Sequence, residues 1–248
     1  MVRKILVSLC LALSMLAMFV MPVEAAELAP YDVKVDAVNQ LTYIYKLNED
    51  SEYVLFDVWA TSTGKSGTPT VTGTYTLKPL SYFKNSGEWY YFQARGVWVN
   101  YVTQIKGNYL FHSPGISVRT YSRVPTNALN AILSQDSMGC VRVYPRQAAF
   151  MWYNMGGCKV TIYKGEVTEN TEAHRARLKE EKILTPASYP LPVITENTVY
   201  WYTYHGDTVE VILKATGLTF EVLVELNPEY DFESEIAVGQ VLRIKNVD

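Results

Sequence analysis

Cysteine and histidine are both scarce in this chain, with three of each in 248 residues. Cys10 lies within the apolar stretch 5–20, so only Cys140 and Cys158 remain beyond it. Two cysteines allow one disulfide and exclude a disulfide framework. The histidines, His112, His174 and His205, are far apart, and nothing in the pattern calls for a metal or another cofactor. Basic clusters are missing as well. With Arg3, Lys4 and Glu24 removed, the formal net charge moves from −3 to about −4. A mildly acidic surface without basic runs excludes nucleic acid and anionic lipid as partners. After position 20 no apolar run approaches the roughly 20 residues that span a bilayer, so no stable membrane insertion is expected.

What is present begins with a leader. Arg3 and Lys4 precede the apolar stretch, and Val23-Glu24-Ala25 places small residues at a cleavage position. Residues 1–26 therefore read as a secretory signal peptide, cut after Ala25 or Ala26, and the mature protein is expected to be exported.

From Tyr31 the chain alternates apolar and polar residues in short runs separated by Gly-bearing turns. Val33 and Val35 alternate with Lys34 and Asp36, and Leu41, Tyr43 and Tyr45 with Thr42, Ile44 and Lys46. Further runs at 54–60, 70–77, 89–92, 97–101 and 109–112 favour a β-sandwich or barrel. One helix interrupts the pattern: Pro145 suits its first turn, Ala148, Ala149, Trp152 and Tyr153 fall at helical spacing, and Gly156-Gly157 ends it. A strand over 158–163 closes the domain, with Cys158 as a small core residue beside Val160 and Ile162.

Residues 165–198 change character. They are dense in charge up to Lys182 and then carry Pro186, Pro190 and Pro192, which reads as a linker with a short solvated helix around 173–181. His174 falls there as a solvent-facing residue. The last 50 residues read as a small β-α-α-β unit. Asp207 with Glu210 opens its first helix as a capping box, Gly217 ends that helix, and Thr219 caps the second. With one histidine and no cysteine, this unit looks like a binding module.

The stretch 112–143 holds the chemistry. A thiol attacks a carbonyl as thiolate, so it needs a base or a positive field close by. His112 is the sole histidine of the β domain, and it precedes Cys140 by 28 positions, a spacing that fits neighbouring strands joined by a long loop over the cleft. Gly139 lets the chain turn to present backbone N–H groups to an oxyanion. Arg142, two residues on, falls on the side of Cys140 and suits a substrate carboxylate. The bland alternative is a core cysteine and a surface histidine. Papain-like peptidases place cysteine before histidine, the reverse of this chain, and sortases approach their cysteine through Thr-x-Thr-Cys, which is absent here.

The run Ser137-Met138-Gly139-Cys140-Val141-Arg142, preceded by Phe111-His112-Ser113, resembles the L,D-transpeptidase catalytic domain. That family carries His…Ser-(His or Lys)-Gly-Cys-(Val or Ile)-Arg. The likeness extends over residues 31–164, through Ser62-Thr63-Gly64-Lys65 and the stretch Thr70-Val71-Thr72-Gly73-Thr74-Tyr75. Residues 199–246 are similar to a LysM domain, through Gly206-Asp207-Thr208, Leu226-Asn227-Pro228 and Gly239-Gln240-Val241-Leu242. Met138 stands where the family usually has histidine or lysine, and Val71 where proline is common.

The resemblance implies a mainly β fold with some α (α+β): an L,D-transpeptidase-like β-sandwich over 31–164, a linker over 165–198, and a βααβ LysM module over 199–246. It implies a wall or periplasmic location and peptidoglycan as partner, with stem peptides in the catalytic cleft and N-acetylglucosamine glycan at the module. Cys140 would form a thioester with a tetrapeptide stem and His112 would serve as base. The Ser137 region would orient the imidazole, and backbone N–H groups at Gly139 and Cys140 would hold the oxyanion. Arg142 would bind a stem carboxylate, with Met138 at a substrate contact. Two other readings stay open: an L,D-carboxypeptidase that passes the acyl group to water, and a wall-binding protein whose catalytic site has decayed.

Overall fold

The computed structural model describes residues 28–79, 88–122, 124–181, 191–192 and 194–246. The leader and the linker residues Pro186 and Pro190 lie outside them. In chain order the first elements are β1 (Tyr31–Asp36), β2 (Leu41–Leu47), β3 (Tyr53–Ala60), β4 (Gly73–Thr76) and β5 (Lys78–Pro79). Next come β6 (Trp89–Phe92), β7 (Val97–Asn100), β8 (Thr103–Lys106), β9 (Tyr109–His112), α1 (Thr126–Asn130) and β10 (Val141–Arg142). Then follow α2 (Pro145–Asn154), β11 (Lys159–Tyr163) and α3 (Glu169–Glu180). The C-terminal unit holds β12 (Tyr200–Tyr202), α4 (Val209–Thr216), α5 (Phe220–Leu226) and β13 (Val241–Arg243).

Two sheets enclose the main core. One runs β3-β2-β1-β11-β4 and the other β10-β9-β8-β5. Inward residues of the first sheet, Val33, Val35, Ile44, Val160 and Ile162, meet Ile105, Phe111 and Val141 of the second in one buried cluster. The inner face of α2, with Ala148, Ala149, Phe150 and Met151, joins the same cluster. Burial of each large side chain there is worth about 1.5–3 kcal/mol, so the sandwich expected from the alternation is the arrangement that hides these faces. Cys158 is fully buried in this core, and both Cys140 and Cys158 are free thiols.

Three readings of the sequence need correction. The helix expected to be solvated inside a linker runs over α3 and docks on the β-sandwich. Leu178 packs with Leu41, Tyr43, Val58 and Ala60 on the outer face of the five-stranded sheet, and Arg177 Nη2 donates to the Val58 carbonyl at 3.1 Å. His174 is half-buried there, edge-on to Tyr43 with ring centroids 5.9 Å apart. This cover explains why β2 is buried on both faces at its start rather than alternating.

The long loop over the cleft is an ordered excursion. Ile116, Val124 and Leu129 are buried with Trp89, and Ile132 and Leu133 reach the cluster under α3. Finally, Asp207 does not cap α4. Thr208 does so, its side chain accepting from Val211 N, while Asp207 turns inward to Arg146. The β-α-α-β order is as read, with Gly217 ending α4 in the left-handed conformation at φ 73°.

The C-terminal unit is built into the β-sandwich. Tyr202 and Tyr204 belong to the main core cluster. Arg146 of α2 forms a two-pronged pair with Asp207 at 2.6 and 3.0 Å, with side chains 5% and 0% exposed. Tyr202 Oη donates to Asp57 at 2.6 Å, and Asn100 Nδ2 to Tyr204 Oη at 2.8 Å.

Candidate active site

His112 ends β9 and Cys140 immediately precedes β10. The two strands pair in parallel, with Phe111 opposite Val141 and His112 opposite Arg142. Parallel partners need a crossover, and the excursion between His112 and Cys140 supplies it. The Ser62-Thr63-Gly64-Lys65 stretch then laces the turn before Cys140 from outside. Ser62 and Arg142 exchange backbone bonds of 2.9 and 2.8 Å, Ser137 N donates to Thr63 O at 2.9 Å, and Lys65 N donates to Ser137 O at 3.0 Å. Gly64 is required in that lacing, because a Cβ there would lie 2.1 Å from the Thr68 carbonyl oxygen.

Within this frame the imidazole of His112 is buried, and its Nδ1 lies 2.6 Å from the Ser113 carbonyl. A carbonyl only accepts, so Nδ1 carries the proton and Nε2 keeps a free lone pair. Burial pushes His112 down to about 4; the Ser113 carbonyl opposes that shift and Arg142 adds to it. The ring is therefore neutral at physiological pH, the state a base requires. Cys140 moves the other way: burial pushes the thiol up, only partly offset by a backbone contact from Leu110 and by Arg142. In this state Cys140 Sγ donates to the Asn108 carbonyl at 3.6 Å rather than to the imidazole.

Ser137 and Gly139 take parts other than those the sequence implied. The Ser137 hydroxyl donates to the Cys140 carbonyl at 2.5 Å and accepts from Gly139 N–H at 3.1 Å. It braces the turn, while the Ser113 carbonyl orients the imidazole. The Gly139 N–H is thus engaged within the turn in this state. Arg142 Nη1 donates to Asp136 at 2.9 Å in a partly exposed pair worth about 0–1 kcal/mol, weak enough for a ligand carboxylate to displace.

Two grooves reach Cys140. One, of about 480 Å³, contains His112, Arg142, Asp136, Lys65 and Arg95, with Asn127 and Ala128 of α1 and the following Ala131 on its wall. The other, of about 800 Å³, runs along Tyr90, Tyr91, Gln93, Gln104 and Asn108. Met138, half exposed, lines both. The structure thus brings His112, Ser137, Met138, Cys140 and Arg142 to one cleft. Sequence reasoning missed Asp136, Lys65 and Arg95. Asp136 lies six positions before Arg142, a spacing without a local signal, and Arg95 arrives on the turn between β6 and β7. Among the described residues no group of three or more His, Cys, Asp or Glu is placed to hold a metal ion, and no helix is long and apolar enough to cross a membrane.

Comparison with known proteins supplies the family. Residues 30–211 match the L,D-transpeptidase catalytic domain (YkuD), and residues 205–245 match the LysM domain. A 102-residue part of the chain, 41% of it, is 34% identical to the teichoic acids export ATP-binding protein TagH of Enterococcus faecalis, spanning 23% of that protein. Among solved structures, a fused Zn-dependent amidase/peptidase/peptidoglycan-binding protein from Clostridium acetobutylicum is 24% identical. It aligns over 54% of this chain and 52% of its own, with a TM-score of 0.39. An L,D-transpeptidase from Stackebrandtia nassauensis is 18% identical over 58% of each chain, with a TM-score of 0.39. The match over 30–211 spans most of the chain, and with the two-sheet sandwich and the module behind it, this protein belongs to the L,D-transpeptidase family, joined to a C-terminal LysM domain.

Proposed function

We propose that this protein is an exported peptidoglycan L,D-transpeptidase that acts through an acyl-enzyme on Cys140. The observation that carries the reading is the placement of His112, with Nδ1 fixed and Nε2 free, on the same cleft as Cys140 and Arg142. Because the thiol is held up and the imidazole down, no preformed ion pair is expected. Cys140 gives its proton to His112 Nε2 as its sulfur bonds to the carbonyl carbon of the penultimate stem residue. The C–N bond to the terminal residue then breaks, and the leaving amine takes that proton from His112. An acceptor amine reverses the sequence: it attacks the thioester, His112 removes its proton, and the thiol is restored. The Cys140 N–H serves the oxyanion, and Arg142 leaves Asp136 for a stem carboxylate.

The second groove favours transfer over hydrolysis, since a separate approach to Cys140 leaves room for an acceptor chain while the donor occupies the cationic groove. The C-terminal module supplies a third recess, of about 270 Å³, lined by Tyr204, His205, Gly206, Ser234 and Ile236, for N-acetylglucosamine glycan. Holding the wall there raises the local concentration of stems.

Incubation with a disaccharide-tetrapeptide and mass spectrometry of the products tests the reading. Cross-linked dimers are expected, together with a covalent carbapenem adduct on the intact protein. Loss of the terminal residue without dimers would point to a carboxypeptidase. An adduct that persists in Cys140→Ala would remove Cys140 as the nucleophile, and glycan binding without any stem turnover would mark a decayed site.

A further inference from the structure

His205 belongs to two places at once. It lines the recess of the C-terminal module with Tyr204, Gly206, Asp207, Ser234 and Ile236. Its ring also lies against Tyr121 of the excursion, with centroids 3.6 Å apart, and its Nε2 lies 2.6 Å from Tyr101 Oη and 3.3 Å from Glu88. Glu88 gathers the cluster, accepting from the Tyr121 hydroxyl and, at 2.5 Å, from the Tyr153 hydroxyl. Burial alone would raise Glu88, yet the bonds from His205, Tyr121 and Tyr153 hold its carboxyl down to about 2. Three elements distant in sequence therefore share one carboxylate, and one of them carries the cleft wall. Beyond Tyr121 the excursion buries Val124 and Leu129 with Trp89, and presents Asn127 and Ala128 of α1 and the following Ala131 to the groove that holds His112, Cys140 and Arg142.

We propose that His205 is a positioning residue for transpeptidation: glycan seated in the module's recess fixes its ring, which through Tyr121 and Glu88 holds the α1 wall of the donor groove in its stem-binding position. This rests on the reading of the recess as a glycan site and of the cleft as a stem site. A ligand in contact with one face of the His205 ring favours the conformer whose other face is packed on Tyr121. Any difference in its affinity for the two conformers shifts the wall by the same free energy. The LysM module then acts as an activator of the site as well as an anchor to the wall.

The test uses the full chain, a glycan-free tetrapeptide stem as donor, and a β-1,4-linked N-acetylglucosamine tetramer as probe. In the unaltered protein, saturating tetramer is expected to lower the stem KM about fivefold with kcat little changed, and saturating stem to tighten tetramer binding. Amide hydrogen exchange over 124–131 should slow when the tetramer binds. Tyr121→Ala, which lies outside the recess, should still bind tetramer in direct titration but lose the KM response. An undiminished response in Tyr121→Ala overturns the proposal, as does tetramer binding with neither a KM change nor slower exchange. Should that variant not fold, Tyr121→Phe, which keeps the ring and removes the bond to Glu88, stands in: a diminished response supports the proposal and an undiminished one overturns it. Failure of the tetramer to bind at all removes the glycan reading along with the proposal. Binding without a response removes the proposal alone.

Discussion

At Gly139 the chain takes φ +111°, and an added Cβ would sit 2.9 Å from the Tyr109 ring. Gly139→Ala must therefore both strain the backbone and push the turn away from β9. Displacement of a reacting atom by about 1 Å can cost on the order of 10²-fold in rate, so carbapenem acylation of Gly139→Ala is expected to slow by about that factor while the fold persists. A rate within twofold of the parent would show that the turn tolerates the shift.

His112 gives a prediction in pH. Its folded value, about 4, lies below the ordinary 6.5, so in that window the unfolded chain binds the proton that the folded chain refuses. Stability is complete above 6.5 and is lost as pH falls toward 4, by about 3 kcal/mol in all. Urea unfolding of the parent and of His112→Gln near neutral pH and near pH 4 isolates that part as the difference in slope. The same value places the acid limb of kcat/KM near pH 4 rather than near 6.5. At this scale the sequence singled out His112, Cys140 and Arg142 by residue type and order, and the structure gathers the three on one groove, their roles being those proposed above. The Ser113 carbonyl and the Ser137 hydroxyl bond to Cys140 were not readable, because they depend on the path of the backbone through a turn.

Among elements, the excursion between β9 and β10 decides the shape of the cleft. Leu129 is its buried pin, packed with Trp89, Ile116 and Val124. Leu129→Ala should cost about 2–5 kcal/mol in chemical denaturation and raise the stem KM more than it lowers kcat, since α1 forms a wall and supplies no reacting group. Equal falls in kcat and kcat/KM would instead place α1 in the chemistry. The strands of the sandwich were legible because one buried face writes a period of two into the sequence. The excursion was not, because Ile116, Val124, Leu129 and Ile132 follow neither that period nor a helical one. The docking of α3 was hidden for a related reason: its charged surface reads as solvated, while its hold comes from Leu178 and from the arginine bonds to Asn39 and Val58.

At the scale of the whole molecule the two matched domains share a core rather than a tether. The buried Arg146–Asp207 pair, 61 positions apart in the chain, is one such link. Removing one partner of such a pair leaves an uncompensated buried charge, so Arg146→Ala should cost about 3–5 kcal/mol. Scanning calorimetry should show one unfolding transition for the whole chain, and two separated transitions would show that the domains are energetically independent. No local pattern announces this joining. Asp207 sits in a motif that reads as a helix start, and its partner lies in another domain.

The placement of β1 has a consequence in time. Its parallel neighbour is β11, with Asp32 opposite Lys159, and Tyr202 and Tyr204 enter the same core still later in the chain. A chain emerging residue by residue cannot finish its first sheet until Tyr163 of the 248 residues has been made, nor its core until Tyr202 and Tyr204 have appeared. Loop closure over such separations is slow. The core that β1 opens is therefore completed by side chains made about 170 residues later, and the sandwich and the C-terminal unit reach their folded state together.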